Sequence, residues 1–198
     1  MSTIKQHKKV IQKQSIRRAI LKRQSMNNQI TIRKANKTDT KKLSLLYKTV
    51  YIQTYGIEGV SDEFANFTDN QFSLKRIDNI IENYPDNIVV AEYKNNLVGV
   101  AEIEFDKKCP VGNFVGPELN KLYILDCFCR KGIGQQLLQE IENIVIAKNI
   151  YEMWLWVLIS NHRAISFYEK QDYKTIGNAY FQMETNKYEN KVMHKTLF

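Results

Sequence analysis

The sequence predicts an α/β fold of the α+β kind, a mixed central sheet of about seven strands flanked by about four helices. Three stretches carry that expectation. Residues 119–138 run as an apolar strand, a short basic turn with two glycines and an amphipathic helix. Met153 to Ile159 is a continuous apolar run, as a strand buried on both faces requires, and a helical pattern opening at Asn161 follows it. Ile88 to Tyr93 and Leu97 to Phe105 read as two strands joined by Lys94-Asn95-Asn96, a hairpin.

The remaining elements fall in order around these. Ile30 to Arg33 reads as the first strand. Thr38 or Asp39 caps a helix whose apolar face is Leu43, Leu46, Tyr47 and Val50. Gly56 to Asn70 is polar, holds Glu58, Asp62, Glu63 and Asp69, and reads as a loop. Ser73 caps a second helix with Leu74, Ile77 and Ile81 inward, and Tyr84-Pro85 ends it. Cys109 to Pro117, with two Pro and two Gly, is a loop. In the helix after the glycine turn, Leu137, Leu138, Ile141, Ile144 and Val145 face the core. Asn161 caps the next helix, with Ala164, Ile165, Phe167 and Tyr168 on its apolar face. A strand opens at Tyr173, and Val192 to Thr196 is the last. The resulting order is β-α-α-β-β-β-α-β-α-β-β.

Composition narrows the class. With 43% hydrophobic residues the 198-residue chain can bury a full core. No apolar run approaches the roughly 18 residues of a membrane span, so a protein without one is expected, in the cytoplasm. Cys109, Cys127 and Cys129 fit no disulfide framework and point to a reducing compartment. They hold no C-x-x-C pair, so no metal site is expected. The net charge of +8 is uneven. Residues 1–38 carry eleven Lys or Arg and no acid; the rest has 18 basic and 21 acidic residues, a net of −3. Residues 1–29 therefore read as a basic tail, flexible or helical, and residues 30–198 as the domain. Such a tail is a solvated charge block, a contact for nucleic acid or another acidic partner, or a transit peptide.

The glycine turn is an anion site. The first N–H groups of a helix lack partners, and the helix dipole adds partial positive charge there. Gly132 and Gly134 allow close approach, Arg130 and Lys131 add full charge, and the helix holds no acid before Glu140. A Walker loop is absent, and Leu137 stands where a dinucleotide fingerprint needs its third glycine.

The run Cys129-Arg130-Lys131-Gly132-Ile133-Gly134 resembles the pyrophosphate loop of the GNAT family of N-acetyltransferases, which hold acetyl-CoA. The downstream pattern N-x-x-A-x-x-F-Y-x-K from Asn161 to Lys170 resembles the second half of the same family, and the likeness covers roughly residues 30–198. Glu118 to Leu125, Trp154 to Val157, Asn161 to Lys170, Ile176 to Met183 and Val192 to Lys195 look most like the PaiA-type polyamine (spermidine or spermine) N-acetyltransferases of bacteria. Two positions depart from the pattern. Cys129 stands where Gln or Arg is usual, and Asp172 where Gly ends the tyrosine-bearing helix.

The resemblance implies an acyl-CoA N-acyltransferase (GNAT) fold with acetyl-CoA as co-substrate and no metal. It also implies an enzyme acting on a small primary amine, with a polyamine as the favoured acceptor because the domain is slightly acidic. Binding of CoA then falls to Tyr123, Ile124 and Leu125 of the strand, to Cys129, Arg130, Lys131, Gly132, Ile133, Gly134 and Gln135 of the loop, and to Asn161 and Lys170. Tyr168 matches the family's general acid toward the CoA sulfur, with a packed core aromatic as the alternative. Glu118 is the first candidate base, with Glu102 and Glu104 next, unless water serves instead. A homodimer is compatible with this reading. So are a protein N-terminal or lysine acetyltransferase and a non-catalytic CoA-binding module working through the basic tail.

Overall fold

The computed structural model describes residues 29–197. The basic tail, as far as residue 28, lies outside them. Seven strands form one sheet: β1 (Ile30–Lys34), β2 (Ile88–Tyr93), β3 (Asn96–Lys108), β4 (Val115–Ile124), β5 (Glu152–Leu158), β6 (Lys174–Gln182) and β7 (Lys187–Thr196). Their spatial order is β1-β2-β3-β4-β5-β7-β6. Every pairing is antiparallel except β4 with β5. That parallel pair closes over two positions only, Glu118 opposite Trp154 and Leu119 opposite Leu155, before the strands part.

Helices α1 (Thr40–Tyr55), α2 (Asp62–Gln71), α3 (Leu74–Asn83), α4 (Ile133–Ala147) and α5 (His162–Glu169) cover both faces. Leu137, Leu138 and Ile141 of α4 and Ile165 and Tyr168 of α5 pack with Ala101, Leu119 and Leu155 in one core. Leu43, Leu46 and Tyr47 of α1 and Ile77 of α3 pack with Val90, Val100 and Phe72 in the other. The two-period burial of strands and the 3.6-period of helices meet at these layers.

Several expectations need correction in detail. The polar stretch 56–70 is not one loop, because it contains α2. The Ser61 side chain accepts from the Phe64 N–H, Asp62 and Glu63 occupy the first turn, and Phe64 and Thr68 are buried. The acids that suggested a loop are the acids a helix N-terminus favours. Leu74 is exposed, although Ile77 is fully buried as expected. Asp39, one of the two residues expected, is the N-cap of α1, but its side chain makes no capping bond into the helix, and the side-chain capping lies just upstream. The Asn36 side chain accepts from the Thr38 N–H, and the Asp39 carboxylate accepts from the Asn36 N–H, forming a capping box on a 3-10 turn that leads into the helix.

Strand β4 also opens earlier than expected, at Val115, and takes in Pro117. The chain tolerates this because the β3–β4 register slips between Glu104 and Lys107, with Asp106 at φ 58°, so no ladder bond is required of Pro117. A second slip pairs Glu102 with Lys121 and Ile103 with Leu119, which leaves Asn120 as the extra residue of a bulge. Asp172 takes φ 68°, the left-handed conformation in which glycine would otherwise end α5.

Candidate active site

The glycine turn follows β4 directly. A 3-10 turn over Asp126–Phe128 leads to Arg130 at φ 61° and Gly132 at φ 84°, and α4 begins at Ile133. Gly132 offers no side-chain cap, and the first helical bond runs from the Gln136 N–H to the Gly132 carbonyl at 3.2 Å. The N–H groups of Ile133, Gly134 and Gln135 have no partner among the described residues. A Cβ on Gly134 would lie 3.0 Å from Ile124 Cδ1, so glycine lets the helix start tight against β4. Uncapped N–H donors at a helix start, with no acid in its first turn, make a cradle that suits an anion such as a diphosphate.

The cradle opens into a cavity of about 850 Å³ that runs along the gap where β4 and β5 part. Beyond Leu119, β4 has no strand on its β5 side, so the backbone polar groups there face the cavity. Among the residues expected to bind CoA, Tyr123, Ile124, Cys129 and Arg130 line it, as do Gly132, Gly134, Gln135 and Asn161. Tyr168 lines it too, from α5. The structure does not bring four others to it. Leu125 spends its N–H on the Val98 carbonyl at 3.0 Å. Ile133 is buried in the core, as the apolar first residue of a packed helix must be. Lys131 bonds the Cys127 carbonyl at 2.6 Å and lies 4.8 Å above the Phe128 ring. Lys170 is exposed at the end of α5. Arg163 and Gln171 line the cavity instead, and nothing in the sequence pattern marked them. Asn161 also caps α5, its side chain accepting from the Ala164 N–H at 3.1 Å.

Cys129 faces Arg163 of α5. Its Sγ lies 2.6 Å from Arg163 Nη2 and 3.7 Å from the Ile124 and Leu125 carbonyls. Burial pushes the thiol above its ordinary range, and Arg163 only partly offsets this.

A second cavity of about 570 Å³ adjoins the first, and Tyr55, Asn120, Lys121, Tyr123 and Trp156 border both. Aromatic side chains of α1 and α2 wall it, with Tyr51 tilted against Phe64 at 5.0 Å and stacked on Phe67 at 5.2 Å. Glu118 lies on its floor, 9% exposed, and its carboxylate makes no hydrogen bond among the described residues. Burial raises Glu118 to about 7, with Glu104 adding to the rise and Lys107 and Lys121 opposing it.

Glu102 differs sharply. It is 2% exposed and accepts from Lys121 Nζ at 2.7 Å, Arg76 Nη2 at 2.7 Å and the Tyr47 hydroxyl at 2.7 Å. Burial alone would raise its pKa; Lys121 and Arg76 overcome that and hold it at about 2. Its oxygens are committed, so it anchors charge and has no proton capacity near neutrality. Lys121, Arg76 and Tyr47 join this cluster through strand register and helix placement, which no local pattern shows. Tyr168 is buried, its ring against Phe167 and Tyr173, and burial raises its hydroxyl so that it keeps its proton at neutral pH.

Residues 54–173 match the model of the acetyltransferase (GNAT) family. The chain belongs to that family. It is similar to an uncharacterised N-acetyltransferase of Chlorobaculum tepidum, 31% identical over 109 residues, which are 54% of this chain and 63% of that protein's length. A second, from Archaeoglobus fulgidus, is 28% identical over 148 residues, 71% of this chain and 90% of the relative. Among solved structures, the PaiA N-acetyltransferase of Thermoplasma acidophilum in complex with coenzyme A matches with a TM-score of 0.64 and 26% identity. That match covers 84% of this chain and 98% of that one. The seven-stranded mixed sheet is thus the GNAT fold, as the glycine loop and the Asn161–Lys170 pattern imply. Among the described residues no helix is long and apolar enough to cross a membrane.

Proposed function

We propose that this chain transfers the acetyl group of acetyl-CoA to a primary amine, with Glu118 as general base and Tyr168 as general acid. One observation carries the reading. The diphosphate cradle and the Glu118 floor belong to two cavities that meet at the β4–β5 gap, with the Asn120 bulge between them. Acetyl-CoA supplies an acyl group activated as a thioester. The loop N–H groups and Arg130 hold its diphosphate, and the open edge of β4 holds the arm and offers N–H donors toward the thioester oxygen.

An aliphatic amine has a free pKa of about 10.4, so it arrives protonated and must lose a proton before it attacks. Glu118, at about 7 and free of hydrogen bonds, is charged enough to take that proton and weak enough to release it. Tyr168, which lines the first cavity from α5, keeps its hydroxyl proton for the leaving sulfur. A polyamine is the acceptor that the resemblance of residues 118–125 and 154–170 and the net charge of −3 beyond residue 38 favour; the charges that line the acceptor cavity weigh against it. The three free cysteines suit a cytoplasmic enzyme. The test is CoA release by the full chain from acetyl-CoA and a panel of amines, with acetyl-CoA binding followed by calorimetry. Binding with amine-dependent release supports the proposal, and absence of binding overturns it.

A further inference from the structure

We infer that the acceptor is an amine on an aromatic or large apolar body that also carries a carboxylate, in the simplest case an aromatic α-amino acid, and not a polycation. This rests on the transferase reading and narrows it.

The cavity that adjoins the CoA channel decides the matter by its charge. Among the described residues two carboxylates line it, Glu104 and Glu118, against four cations, Arg76, Lys107, Lys108 and Lys121. Arg76 and Lys121 share a single counter-charge, Glu102; burial lowers the pKa of the Lys121 ammonium and Glu102 opposes this, and with Lys121 protonated the trio keeps one positive charge in excess. Lys107 pairs with Glu104 at 3.3 Å, which cancels both. Lys108 has no carboxylate partner among the described residues. Glu118 is left to offset two cations, and near neutrality it is only partly charged. The cavity is therefore net positive. The net acidity beyond residue 38 is spread over the whole surface, while binding follows the local potential.

A polyamine that surrenders one proton to the base still brings two or more ammonium groups. Aromatic faces can hold one of them, but the surplus cations of this cavity repel the rest. A carboxylate reverses that sign. Lys107 and Lys121 act on Glu118 electrostatically, as do Glu104 and Glu102, so cations stand near the carboxylate that receives the amine, with Glu104 and Glu102 already engaged by lysine or arginine partners. An anionic group one carbon from the amine would fall within their reach. The Asn120 Nδ2 donates to Glu104 at 3.2 Å, which turns its Oδ1 away as an acceptor for an amine N–H at the junction of the two cavities. The ring wall of Tyr51, Phe64 and Phe67, continued by Phe181 edge-on to Phe67 at 5.9 Å, offers aromatic faces to an aromatic body.

The experiment uses the full chain with acetyl-CoA and compares initial rates for phenylalanine, phenylalanine amide and spermidine. The expected result is a kcat/KM for phenylalanine at least tenfold above those for the other two. Lys107→Glu should cut the phenylalanine value about tenfold and raise the spermidine value. Spermidine turned over as well as phenylalanine, or the amide as well as the free acid, overturns the inference. So does failure to acetylate phenylalanine by a chain that binds acetyl-CoA. Acetylation of spermidine alone would leave the transferase reading standing, whereas no acetyl-CoA binding removes both.

Discussion

Replacing Glu118 by Gln should do two opposite things, lowering activity and raising stability. The side chain is buried, so its packing volume is kept while its charge is lost. Burial lifts the carboxyl from 4.5 to about 7. A carboxyl whose pKa is raised by folding is bound more tightly to its proton in the folded state. The cost of charging it is absent below about pH 4.5, grows between there and pH 7, and is complete above pH 7. At 1.36 kcal/mol per unit, that cost is ~3 kcal/mol at pH 8. Glu118→Gln should match the wild type in stability at pH 4 and exceed it by up to ~3 kcal/mol at pH 8. In a chain of this length that is a rise in Tm of roughly 6–12 °C. The same change removes the base, so turnover should fall on the order of 10²-fold. The rising limb of the wild-type pH–rate profile near pH 7 should disappear with it. Thermal unfolding at pH 4 and pH 8 beside steady-state kinetics makes the test. Equal Tm at pH 8 would refute the buried-charge argument, and wild-type turnover would refute the base.

Tyr168→Phe keeps the ring against Phe167 and Tyr173 but removes the proton, so turnover should fall on the order of 10²-fold while acetyl-CoA affinity changes little; equal losses in both would make it a binding residue. Gly134→Val places new atoms against Ile124 Cδ1, the far end of a side chain that can shift, so the domain should fold while CoA affinity by calorimetry drops at least about tenfold through crowding of the cradle; unchanged affinity would remove the loop from the site. A chain beginning at Gln29 starts one residue before β1 and should keep wild-type turnover on small amines, and a large loss would mean that the tail contributes to the site.

The half of the candidate site proposed for CoA was legible because it is local. Strand, glycine turn and helix start lie within the twenty residues from Leu119 to Leu138, and each has a residue-type signature. Lys131, Ile133 and Lys170 were drawn into the expected set by proximity in sequence. Facing depends on φ and on helix phase, and Arg130 at φ 61° turns the chain so that its neighbour Lys131 folds back on Cys127. The acceptor half was largely illegible. Its walls come from α1, α2, β4, β5 and the β6–β7 hairpin, and α2 itself hid behind its acids. Glu118, the first candidate base in the sequence, and Glu102 are both strand carboxylates. What separates them is the register that hands Glu102 both Lys121 and Arg76 and leaves Glu118 without a partner.

Glu63, at the first turn of α2, accepts from the backbone N–H groups of Thr185 at 2.5 Å and Asn186 at 3.1 Å, and from the Asn186 side chain. These partners lie 122 and 123 residues away along the chain, and with the Phe67–Phe181 ring contact they fasten one rim of the cavity to the other. A clasp made of a few solvent-exposed bonds opens at far lower free energy than the sheet does. Amide exchange in α2 and at residues 183–187 should therefore run ahead of exchange in α4 and β5. The backbone donors also hold the Glu63 carboxyl below its usual range, so the clasp contributes above that range and is released as acid protonates it. The mouth of this enzyme is in that sense a seam between two peripheral segments. Its width can be altered by exchanging the hairpin turn, with the catalytic sheet beneath left as it is.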